Sequence, residues 1–199
     1  ITSPEFKANS RAALADPQLQ KALGNVRSGF IEKRLKAVAD LPEFERLRDS
    51  AKAIKDHVLS NLDLYLEAYE GKVLEAGGKV HWCQTAEDAR QAILTICRSV
   101  NARVVTKGKS MITEEIALND FFEKNGIAPV ETDLGEYLAQ LRGEHPSHII
   151  APAVHLNKEQ VEEDFRRVHD HLAPGRDLTE PEALLNEARR VLRSRYFEA

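Results

Sequence analysis

Three short segments of this sequence concentrate groups able to do chemistry. The first is Lys107-Gly108-Lys109-Ser110-Met111. Two ammonium groups and a glycine just ahead of a helix make a turn whose free N–H groups suit an anion. Gly108-Lys109-Ser110 matches the end of a phosphate loop. The full motif needs a glycine five residues before Gly108, and Arg103 stands there, so a Walker-type nucleotide site is excluded. Ser110 and Thr113, with Thr132 from the next segment, add hydroxyls. The candidate set for a small carboxylate or phosphate is therefore Lys107, Lys109, Ser110, Thr113 and Thr132. The same residues also read as an ordinary capped turn, because Glu114 and Glu115 already satisfy the positive helix end.

The second segment, Glu131 to Tyr137, carries the carboxylates Glu131, Asp133 and Glu136. Asp133 with Glu136 three residues on is a capping-box variant. Capping does not account for Glu131 at a strand end. It can orient a ligand hydroxyl, do acid–base work with a second carboxylate, or simply pair with Lys107 or Lys109. The third segment, residues 143–156, holds His145, His148 and His155, with neither H-E-x-x-H nor zinc-finger spacing. His155, beyond a strand end, is the candidate proton donor beside Glu131. His148 falls at the opposite end of that strand, a poor geometry for a shared metal. His169 and His171 fall near a helix end, where a cation is favoured. Cys97 reads as buried on a helical apolar face. Trp82 and Cys83, adjacent on a strand, point to opposite faces.

Periodicity supplies the elements that position these groups. Residues 1–48 read as an arm of short helices, with Leu14, Leu19, Leu23, Val26, Phe30, Ile31, Leu35 and Val38 at helical gaps and a break near Pro42. Such an arm either covers a core or docks a partner. From residue 49 to 76 the stripe Ile54, Val58, Leu62, Tyr65, Tyr69, Val73 predicts a helix, ended by Gly77 and Gly78. Strands are expected at Lys79–Cys83, Arg103–Thr106, Ile127–Glu131 and His148–Ala151. Helices are expected at Ala86–Val100 (capped by Thr85), Ile112–Lys124, Asp133–Leu141 and Asn157–His171, and from Thr179 onward with Leu184, Leu185, Ala188 and Leu192 inward. Strands alternating with helices predict an α/β domain over residues 49–199 with a largely parallel sheet flanked by helices. In such a sheet ligands bind outside the carboxyl ends of the strands, the edge that carries all three segments.

Composition narrows the function classes. Lys plus Arg is 28 and Asp plus Glu 32, a net charge of −4, which argues against a dedicated nucleic-acid binder and leaves room only for a local basic patch. Two cysteines exclude a disulfide scaffold and any site with four thiolates, and suit a reducing, cytoplasmic setting. No apolar run approaches a membrane span, and no signal-peptide pattern is visible. The chain begins with Ile1 and stops straight off a helix at Ala199, with a sheet whose edges are open. The expectation is an amino-terminal portion of a longer protein.

Several long blocks resemble one family. Lys109-Ser110-Met111-Ile112-Thr113-Glu114-Glu115-Ile116, the Glu131–Tyr137 run, Pro146–His155, Asn157-Lys158-Glu159-Gln160 and Ala188–Arg193 look like successive parts of the lactate-utilisation protein B family, as does the arm around Arg27–Lys36. The resemblance implies a lactate-utilisation domain with a fold similar to the sugar-phosphate isomerase and CoA-transferase group. It implies a part in oxidising L-lactate to pyruvate beside companion proteins A and C, with self-association left open. It further implies two 4Fe-4S clusters in a ferredoxin-like region beyond the residue matching Ala199. Cys83 and Cys97 cannot supply those ligands, so the resemblance leaves this portion without electron-transfer centres. A binding and assembly module, with residues 1–48 docking companions, is the alternative from another class. An isomerase- or transferase-like enzyme is a third, resting on fold analogy.

Overall fold

A computed structural model describes residues 3–199. The chain forms two compact units, one made of the segment through Val26 with Thr85–Ala199, the other Arg27–Gln84.

The larger unit holds α1 (Phe6–Ala15) and α2 (Pro17–Val26). After Thr85 it runs α6 (Ala86–Ser99), β1 (Val104–Lys107), α7 (Met111–Glu115), α8 (Leu118–Lys124), β2 (Ala128–Glu131), α9 (Leu134–Arg142), α10 (Lys158–Val168) and α11 (Pro181–Glu198). The smaller unit holds a π-helical turn at Arg27–Ile31, then α3 (Glu32–Ala39), α4 (Phe44–Ser60) and α5 (Leu62–Glu75). β1 and β2 pair in parallel, Val104 with Ala128 through Lys107 with Glu131. The protein is thus α/β, with a parallel sheet set among helices.

Local chemistry explains the boundaries. Thr85 opens α6 with a reciprocal box: its Oγ1 accepts the Asp88 N–H, and Asp88 accepts the Thr85 N–H. Asn157 and Gln160 do the same for α10. Gln160 also exchanges hydrogen bonds with Gln18, at 2.6 and 3.1 Å, tying α2 to that cap. Gly78 donates to the Val73 carbonyl after Gly77 turns left-handed, closing α5 as its glycines predict.

Two apolar clusters hold the larger unit. Leu94 and Cys97 of α6 pack on Leu118, Phe122 and Ile127. Tyr137 and Leu138 of α9 pack on Phe165, Leu178, Leu184 and Ala188. The inward faces expected for α6 and α11 are the ones buried.

Four expectations are corrected. The helix over 49–76 is two helices, broken at Asn61, whose side-chain amide donates to the His57 carbonyl. Its stripe is largely exposed: Ile54, Leu62, Tyr65 and Tyr69 all face solvent. The helix over 112–124 breaks at Ala117, which is left-handed at φ 49°. Among the described residues the sheet has two strands, not four. Lys79–Cys83 is irregular with no strand beside it. His148–Ala151 forms a bend, because its backbone groups bond locally. Ile150 and Ala151 donate their N–H groups to the His148 ring, and Ser147 donates its own to the Pro152 carbonyl. Pro146 and Pro152 have no N–H to give a ladder.

Candidate active site

The carboxyl ends of the two strands bring Lys107 and Glu131 together as register partners. Lys107 is the last residue of β1 and not, as expected, the first after it. Its buried ammonium donates to Glu131 Oε1 at 2.5 Å and to Asn119 Oδ1 at 2.6 Å, and lies 3.5 Å from Glu114. Asn119 in turn donates to Glu131 at 3.0 Å. The break at Ala117 brings α8, and with it Asn119, back towards the strand end. Gln140 of α9 accepts the Glu131 N–H and donates to the Pro129 carbonyl, holding β2 against α9. No buried side-chain polar atom among the described residues lacks a partner.

Lys109 sits just beyond, left-handed at φ 50°. That turn aims its N–H at Glu136 Oε2, at 2.8 Å. Its ammonium pairs with Asp133 at 2.6 Å, which pushes its pKa up. Asp133 therefore caps α9 through Gly135 alone. The expected reciprocal box with Glu136 does not form, because Glu136 is engaged by the Lys109 backbone. Gly135 permits a close approach: a Cβ there would meet Pro152 at 2.9 Å. Thr132 Oγ1 donates to the Lys107 carbonyl, and Thr113 Oγ1 to the Ser110 carbonyl. Ser110 precedes α7 without a side-chain cap bond.

Burial pushes the Glu136 carboxyl above its ordinary range. Glu131 and Asp133 push the same way, while the Lys109 N–H opposes. Ionised Glu136 therefore weakens the fold. Its favourable contribution is present below the ordinary carboxylate range and is lost as pH rises through its raised value. Glu136→Gln, whose amide oxygen can still accept from Lys109, is expected to be more stable than wild type at pH 8. That gain should vanish near pH 4, about the ordinary Glu value, as read from urea midpoints at the two pH values.

A small cavity of about 30 Å³, room for one water, is lined by Glu114, Asn119, Glu131, Glu136, Gln140 and Glu144. Glu144 Oε2 lies 2.9 Å from His155 Nε2, and Ser147 Oγ 2.8 Å from His155 Nδ1. Burial raises the Glu144 pKa, but the bonds to His155 and Arg142 together outweigh it, so the carboxyl lies below its ordinary range. Glu131 and Glu144 line this cavity together, whereas His155 lies outside its lining and reaches it only through its bond to Glu144. Sequence reasoning did not find Asn119, Gln140, Glu144 or Ser147 as members of this site. Glu144 and Ser147 carried a local signal, as polar residues inside the histidine-bearing segment.

These features define an α/β domain with a buried network at the carboxyl ends of its parallel strands in which carboxylates outnumber the ammonium groups. The chain belongs to the LUD domain family, which matches residues 66–199. It is 40% identical over 198 residues to an "Uncharacterized electron transport protein YkgF" of Escherichia coli (strain K12). It is also 39% and 37% identical over 200 residues to the proteins named "Lactate utilization protein B" of Macrococcus caseolyticus (strain JCSC5402) and Bacillus subtilis (strain 168). Each alignment takes in 100% of this chain and 41% of the relative. No solved structure matches the chain. Among the described residues no helix is long and apolar enough to cross a membrane.

Proposed function

We propose that this chain is the lactate-utilisation domain portion of a component that oxidises L-lactate to pyruvate, acting in the cytoplasm with companion lactate-utilisation proteins A and C. The observation that carries this reading is similarity along the entire chain to relatives named for lactate utilisation and for electron transport. Oxidising lactate removes two electrons and two protons. The cofactors expected for the full-length protein are two 4Fe-4S clusters. The residues here do not fit such a group: two thiols, one exposed and one buried, cannot provide its four ligands. The clusters therefore belong to a region outside these residues, and no step is assigned to them.

What these residues do is hold and move a proton. Glu131, fixed by Lys107 and Asn119, faces a cavity sized for one water that Glu144 also lines, and Glu144 bonds His155 outside it. In this reading the carboxylate orients a hydroxyl, and His155 exchanges its proton with solvent. Lys109, Ser110, Thr113 and Thr132 form the rim for the carboxylate of the substrate. A strain lacking the full-length protein is expected to lose growth on L-lactate and to regain it with wild type but not with His155→Gln. Regained growth with that variant would remove His155 from the reading.

One observation favours the second reading, a binding and assembly module. Both lysines are already neutralised, Lys107 by Glu131 and Lys109 by Asp133. Under that reading the variants leave lactate oxidation intact, while deleting residues 1–48 abolishes capture of the companions.

A further inference from the structure

A second polar cluster lies away from the strand ends and shares no lining residue with the cavity above. Glu187 of α11 is fully buried, an expensive place for a carboxylate without strong partners. Its Oε1 receives His169 Nδ1 at 3.0 Å and His171 Nε2 at 2.8 Å. The three donor atoms lie within 4.8 Å of one another. His169 is almost fully buried, and its ring stacks on Phe165 at 4.5 Å. Its other nitrogen, Nε2, lies 3.0 Å from the Tyr137 hydroxyl.

We propose that His169, His171 and Glu187 form a divalent transition-metal site whose remaining coordination positions open into the adjoining cavity. The donor set of two imidazoles and one carboxylate suits zinc or a similar ion with positions left for exogenous ligands. Tyr137 supplies the outer contact such a site needs. In the metal-bound form the ring proton would move from Nδ1, where it now faces Glu187, to Nε2, which would donate to the Tyr137 oxygen and leave Nδ1 free for the ion. Two bonds of about 2.1 Å span about 4.2 Å at most. Closing the set therefore takes a small inward turn of His171, the exposed member, whose side chain is 42% accessible.

The cavity beside the cluster measures about 360 Å³ and includes Arg190, Ser194 and Arg195 in its lining. Arg190 reaches both Glu187 oxygens, at 3.0 and 3.1 Å. It can stay on Oε2 while Oε1 turns to the ion. Three guanidiniums (Arg176, Arg190, Arg195) stand against three carboxylates (Glu187, Asp170, Glu198) around the cluster and cavity, so a divalent ion adds an uncompensated positive charge. The site therefore takes an anionic co-ligand from the cavity side, and a small carboxylate fits both the volume and the arginines.

The test titrates the intact chain with Zn²⁺ alone and records Co²⁺ absorption. One ion per chain is expected to bind at micromolar affinity. His171→Ala removes a ligand from the surface without emptying the core, and should weaken binding at least about tenfold while the chain stays folded, since His169 and Arg190 still hold Glu187. Glu187→Gln should weaken it further. His81→Ala, an exposed histidine of the smaller unit, should change nothing. Acetate should shift the Co²⁺ bands. Absence of one-to-one binding, or equal affinity in His171→Ala and wild type, overturns the metal site. Unmoved bands overturn its opening to the cavity.

Discussion

Lys107→Met is expected to destabilise the protein by about 3–5 kcal/mol, the cost of leaving a buried charge without its partner. Without the ammonium, Glu131 and Glu114 are left with no cation to separate them, and Glu131 is only 3% exposed. For a chain of this size the thermal midpoint should fall by roughly 10 °C. Glu131→Leu alone should cost a similar amount, because it strands the ammonium. The double variant Lys107→Met with Glu131→Leu should recover much of the loss, since an apolar pair of like volume often replaces a buried ion pair without penalty. The two single effects should therefore exceed the double by more than about 2 kcal/mol, near the upper range of contacting pairs. Additive effects would mean that Lys107 and Glu131 do not act as a unit. Urea denaturation of the four proteins measures this.

The second large effect concerns Phe165. Phe165→Ala is expected to cost about 3–5 kcal/mol, as for a large aromatic deleted from a packed core. Phe165 is wholly buried and joins α10 to α9 and α11 through Tyr137, Leu138, Leu184 and Ala188. It is also the surface on which the His169 ring stacks. Phe165→Leu, which keeps most of the volume, should cost less than half as much. Equal losses in the two variants would place the cost in the aromatic stack and not in the cavity. Calorimetric midpoints of the two variants distinguish these.

What the sequence disclosed was mainly local. The Thr85 and Asn157 caps need partners only three residues away, and both form as read. The two strands that pair are the two whose carboxyl ends carry Lys107 and Glu131. The strand expected at His148–Ala151 failed because a histidine side chain took the N–H groups a ladder would need, and a side chain turning back on its own backbone leaves no mark in periodicity. Glu136 was misassigned for a related reason. Its spacing from Asp133 fits a capping box, but the Lys109 N–H, 27 residues away in sequence, reaches it first. Asn119 and Gln140 were invisible because amides on helices are unremarkable until the left-handed turn at Ala117 and the register of β2 bring them to the strand ends. The shared edge expected for Glu131 and His155 rested on a strand at His148–Ala151 that does not form. His155 instead bonds Glu144, which lines the cavity beside Glu131 and was not foreseen in that position.

The proposed proton transfer depends most directly on Glu131. In the complete protein, within the proposed assembly with companion lactate-utilisation proteins, the proposed rate of electron delivery from L-lactate should fall at least about 100-fold in Glu131→Gln, the lower range for losing a positioned acid–base group. The comparison is made at equal amounts of folded protein, with companion binding unchanged. A rate equal to wild type in an intact assembly would contradict the account, and would leave the strand-end network as structure alone.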